Sequence, residues 1–97
     1  SQPNARIHLS VAFLVTAAGW YCQISRPEWL AIILCMALVL ALEALNTALE
    51  YLTDLVSPEF HPLAGKVKDV AAAAVLIAAA AAVVVGLVVF LPRITPF

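Results

Sequence analysis

Glu43, Glu50 and Asp54 are carboxylates in a stretch that is otherwise mostly apolar, followed by His61, Lys66, Lys68 and Asp69. At about 100° per residue a helix brings the three acids within roughly 40° of one another, with Asn46 beside them. A charge near the middle of a bilayer costs about 3 kcal/mol or more, so such a stripe faces a protein interior or a water-filled cavity. Carboxylates two turns apart suit Mg²⁺ held jointly with phosphate oxygens, because that ion takes one or two carboxylates plus substrate. Lysines beside them can neutralise phosphate, and a deep carboxylate can take a proton from a hydroxyl arriving from the lipid side. The pattern therefore predicts phosphoryl transfer at a membrane surface, where positioning and charge neutralisation supply most of the catalysis. The plainer alternative makes the stripe a set of interhelical ion pairs or a partly solvated helix end. In that reading Asn46 is an interhelical hydrogen-bonding group, His61 a solvated loop residue, and Lys68 with Asp69 a charge pair of little energy. There is no Walker A run and no GxGxxG, and the Gly65-Lys66 pair alone is no phosphate motif.

The elements that must carry these groups follow from composition. The chain has 97 residues, 65% hydrophobic and 11% charged, against about 25% charged for a soluble domain. This predicts an all-α membrane protein of one domain, residues 1–97. A net charge of -1 with scattered Lys and Arg leaves no basic footprint for nucleic acid. Cys22 and Cys35 lack CxxC or Cys/His spacing and read as free thiols. Three helices are predicted, over residues 7–24, 27–56 and 62–91. The first has no small-residue cleavage site before Trp20, so it reads as a spanning segment rather than a cleaved signal. Residues 1–4 offer no helix-starting context, which predicts further chain upstream. Ser25, Arg26 and Pro27 break the first helix from the second, with Glu28 an N-terminal charge and Trp29 an interfacial anchor. Ser57, Pro58 and Glu59 stop the second helix, Pro62 opens the third, and Pro92 and Arg93 close it.

Alanine at 71–74 and 78–82 predicts tight helix packing. Three helices shelter an acidic stripe poorly, which predicts a homo-oligomer. The end of the second helix, the start of the third and residues 2–8 share one membrane face. Arg6, Lys66 and Lys68 there, against Arg26 and Arg93 opposite, make it the cytoplasmic face; Arg6 also reads simply as a topology signal.

The run EALNTALE from Glu43 to Glu50, Asp54, and the run EFHPLAGKVKDV from Glu59 to Val70 resemble the prokaryotic diacylglycerol kinase and undecaprenol kinase family. The likeness extends from NARIH at Asn4 to His8 through the third helix. It implies a homotrimer of three-helix subunits in the bacterial inner membrane, moving the γ-phosphate of ATP to undecaprenol or diacylglycerol with Mg²⁺. By position Glu43 would be the general base and Glu50 a metal ligand. Asn46, Lys68 and Asp69 would surround the transferred phosphate and the base, while Asp54, His61, Gly65 and Lys68 would meet the nucleotide. The chain departs from the family in having no room for an amphipathic surface helix before the first span. It also carries Gln2 where the family places a second metal-binding glutamate. Two other classes are a catalytically silent membrane assembly subunit and a small proton-coupled transporter working through Glu43 or Glu50.

Overall fold

The computed structural model describes the backbone of residues 2–94 and the side chains of residues 6–94. Their regular elements are three helices: α1 (Gln2–Cys22), α2 (Arg26–Val56) and α3 (Pro62–Ile94). Among the described residues, α2 and α3 are the two helices long and apolar enough to cross a membrane.

Local chemistry sets the turns. The N–H of Gln23 donates to the Trp20 carbonyl at 3.3 Å and that of Ile24 to the Gly19 carbonyl at 3.2 Å, the double closure that ends many helices. It requires a left-handed residue, and here Gln23 adopts it with φ 52, at about 1–2 kcal/mol for a side chain other than glycine. Burial of Ile24, 6% exposed, offsets that cost. Ser25 then caps α2: its N–H donates to Glu28 Oε1 at 2.8 Å, and its Oγ accepts from the Glu28 N–H at 3.4 Å. This reciprocal pair satisfies two donors the helix start leaves open. α2 ends where the Ser57 N–H donates to the Thr53 carbonyl at 2.8 Å and Pro58 cannot continue. His61 opens α3, its Nδ1 accepting from the Leu63 N–H at 3.1 Å.

α1 and α3 differ in extent from the sequence expectation, and α2 starts one residue earlier, at Arg26. α1 begins at Gln2 and ends at Cys22, because proline in a first turn replaces an N–H that has no partner there anyway. α3 passes through Pro92 to Ile94. Proline is tolerated late in a membrane helix where neighbours compensate, and here Arg93, one residue on, pairs with Glu28 Oε1.

Packing is centred on α2, which lies along α3 for much of its length and meets α1 less extensively. Ala71, Val75 and Ala78 recur at turn spacing on α3 and are buried, so small residues let the helices approach, as the alanine content predicts. Away from the acidic stripe, Ile24, Ile32 and Val89 form a core that Trp29, Met36 and Phe90 pack against. There Trp29 lies over Gly19, where a Cβ would stand 2.8 Å from Cη2 of the indole. The molecule is a rod of 55 × 20 × 19 Å. Its accessible surface of 7146 Å² exceeds the about 5,400 Å² expected of a folded soluble monomer of this mass. Phe13, Leu14, Leu76 and Ile77, all strongly exposed, lie on that surface.

Candidate active site

Glu43 and Asn46 are the buried polar residues of α2, 4% and 8% exposed. A single chain thus shelters the deep end of the acidic stripe and leaves its outer end open. The exposure then rises along the same face toward the helix end, through half-buried Glu50 to exposed Asp54. From α1, His8 Nε2 comes within 3.4 Å of Glu43 Oε2. Glu43 Oε1 and Asn46 Oδ1 are buried with no hydrogen-bond partner among the described residues. An unpartnered buried acceptor costs about 1–3 kcal/mol. Two within one turn of the same helix mark a place where polar capacity is held for something other than stability.

The outer part of the site joins α2 to α3. Lys68 Nζ meets Asp54 Oδ1 at 2.6 Å, so this lysine pairs across the hairpin rather than with its neighbour Asp69. A cleft of about 270 Å³ gathers Asp54, Glu59, His61, Gly65 and Lys68 among its lining residues. Gly65 faces open space, with nothing within 4 Å of a would-be Cβ. Its backbone is therefore free for close approach by a ligand. Asp69 and Lys66 are exposed and make no ion pair among the described residues. An apolar groove of about 360 Å³ runs between the three helices, with Val15, Met36, Val39 and Val83 among its lining and His8 its one titratable imidazole.

The predicted residues therefore fall into two groups. Glu43 and Asn46 lie deep; Asp54, His61, Gly65 and Lys68 share one outer cleft; Glu50 lies between them along α2. Asp69 is not drawn into a hydrogen bond with either group. Gln2 lies outside the residues whose side chains are described. Among the described residues no cluster of three His, Cys, Asp or Glu groups is arranged as a self-sufficient metal site.

Sequence reasoning gave His8 no role. The signal lay in helix arithmetic: His8 is about 21 Å back from the end of α1 and Glu43 about 26 Å along α2, at 1.5 Å per residue. Antiparallel neighbours at nearly equal depth are candidates for contact.

The sequence profile described as prokaryotic diacylglycerol kinase matches residues 1–90. The undecaprenol kinase of Bacillus subtilis is 37% identical over 94 residues, covering 97% of this chain and 76% of that protein. A diacylglycerol kinase of Synechocystis is 43% identical over 95 residues, again 97% of this chain but 54% of the relative. A diacylglycerol kinase of Helicobacter pylori is 46% identical over 46 residues, 47% of this chain and 36% of its own length. A match over nearly the whole chain, carried on a helical frame with its buried carboxylate and outer cleft in place, means that this protein belongs to the prokaryotic diacylglycerol kinase family.

Proposed function

We propose that this chain, a member of a membrane lipid kinase family, transfers the γ-phosphate of ATP to the hydroxyl of undecaprenol or diacylglycerol. The observation that carries the reading is Glu43, a carboxylate 4% exposed whose Oε1 has no partner among the described residues. Glu43 acts as the general base, accepting the hydroxyl proton as the lipid oxygen attacks phosphorus. Asn46, one turn on, offers its amide to the transferred phosphoryl group. Lys68 neutralises phosphate charge, and Asp69 next to it in sequence belongs to the groups around the transferred phosphate and the base. Asp54, His61 and Gly65 hold the nucleotide in the outer cleft, where Gly65 leaves room for it.

Mg²⁺ fits this donor set. The ion needs hard oxygens and completes its shell with substrate phosphates, so the half-buried Glu50 would hold it without a three-residue cage. When bound it would neutralise charge on the transferring phosphoryl group. The exposed apolar surface supports α1 as a third span and assembly as a homotrimer. The site then faces the cytoplasmic side of a bacterial inner membrane, where ATP is found.

The test is transfer of radiolabelled phosphate from ATP to each lipid in mixed micelles, with Glu43→Gln beside the unaltered protein. Transfer to one lipid that Glu43→Gln abolishes is expected. ATP affinity without transfer to either lipid would favour the silent assembly subunit, a reading that the neutral Gln2 supports.

A further inference from the structure

We propose that His8 is a positioning residue for Glu43: its imidazole Nε2 holds carboxylate Oε2 and leaves Oε1 as the oxygen that receives the substrate proton. This rests on the phosphoryl-transfer reading above. The two oxygens of Glu43 are unlike. Oε2 has the His8 ring at 3.4 Å, while Oε1 is buried and unpartnered among the described residues. A carboxyl group turns about a broad, nearly two-fold torsion, so without a fixed partner its oxygens exchange roles and its plane wanders. The ring pins that plane from a different helix. At 3.4 Å the contact is longer than a tight hydrogen bond, as is common before substrate binds, and it shortens when the reacting groups assemble.

His8 also sits where a lipid alcohol must pass. It lines the apolar groove between the three helices together with Val39 and Leu40, one turn before Glu43. A hydroxyl carried along that groove comes within one turn of Glu43 on α2, with its hydrocarbon behind it. The O–H bond then breaks, the proton goes to Oε1, and the lipid oxygen bonds to the γ-phosphorus as the bond from phosphorus to the departing ADP oxygen breaks. His8 gives up no proton in this step.

The test compares His8→Phe, which keeps a ring but no donor, with His8→Gln, whose amide can still donate. His8→Phe is expected to lower kcat by about 10- to 100-fold, the scale of a misplaced reacting group, with KM for ATP unchanged; His8→Gln restores most of the loss. Should His8→Phe fail to fold, His8→Ala takes its place, and added imidazole is expected to raise its turnover. The chain has two histidines, so the ¹⁵N signals of His8 are those absent from a His8 variant. The Nε2 signal is expected to move in Glu43→Gln. Undiminished turnover in the His8 variants, no recovery with Gln or imidazole, or an Nε2 signal unmoved by Glu43→Gln would each overturn the role. An unaltered protein that transfers no phosphate would overturn the kinase reading itself, a different failure from normal transfer that ignores His8.

Discussion

Gly19→Ala probes how α1 is seated on α2. The added Cβ would lie 2.8 Å from Trp29 Cη2, 3.1 Å from Ile24 Cδ1 and 3.2 Å from Trp29 Cζ2. Carbon atoms rest at about 3.5–4.0 Å, so the indole must retreat by about 1 Å. It has little freedom to do so, because it packs against the Ile24, Ile32 and Val89 core. Overpacking of this kind costs about 1–3 kcal/mol, and replacing a helical glycine by alanine returns at most about 1 kcal/mol. The net expectation is a loss of about 1 kcal/mol. Gly86→Ala is the control, since nothing lies within 4 Å of its would-be Cβ; there the propensity gain stands alone. Unfolding in mixed micelles, followed by far-ultraviolet circular dichroism, measures both. In a Trp29→Leu background, where the two clashing ring atoms are gone, the cost of Gly19→Ala should fall by about 1 kcal/mol, the coupling of direct contacts. If Gly19→Ala stabilises as Gly86→Ala does, or costs the same with and without the indole, the seating is not as described. Turnover is a second readout, because His8 lies about 16 Å along α1 from Gly19 and a displaced helix end moves the imidazole relative to Glu43.

Glu43→Gln should reduce phosphoryl transfer by about 10²- to 10⁴-fold in the radiolabel assay, the usual contribution of a general base. Lys68→Met should raise KM for ATP in a steady-state assay. It should change stability by at most about 1 kcal/mol, since its partner Asp54 is 63% exposed and such pairs are weak. Ser25→Ala removes the cap of α2 and should cost about 1 kcal/mol in the same unfolding assay. Transfer per folded molecule should stay unchanged, because Ser25 lies at the opposite end of the rod from the cleft.

The helices were legible because their breaks are made of residues with one local meaning. Ser25 and Pro27 open α2, Pro58 stops it, and Pro62 opens α3. At Pro92 the local stop signal is off by a single half-turn, since α3 runs only two residues further, to Ile94. The acidic stripe was legible from the spacing of Glu43, Glu50 and Asp54, since helical angle needs only residue numbers. The order of depth was legible too, because the length of α2 puts Glu43 innermost and Asp54 outermost, as their burial shows; the His8 contact from α1 was not. Lys68 illustrates the same limit. Its neighbour Asp69 was the obvious partner in sequence, whereas the hairpin gives it Asp54. His8 was missed because a lone imidazole at the start of an apolar run has no periodic partner of its own.

The depth of Glu43 bears on a problem every kinase faces, which is that water competes as an acceptor for the phosphate. Along α2, Glu43 lies about 16 Å inside the level at which Asp54 meets Lys68, at 1.5 Å per residue. In the proposed reaction the nucleotide is held at the outer level, within reach of the aqueous phase, while the base waits beneath it. A water molecule arriving from solution meets the cleft but not the carboxylate proposed as the base, which is 4% exposed. An alcohol dissolved in hydrocarbon approaches that carboxylate from the apolar side. Refusal of hydrolysis is then a matter of where the carboxylate stands below the waterline, and it requires no closing lid.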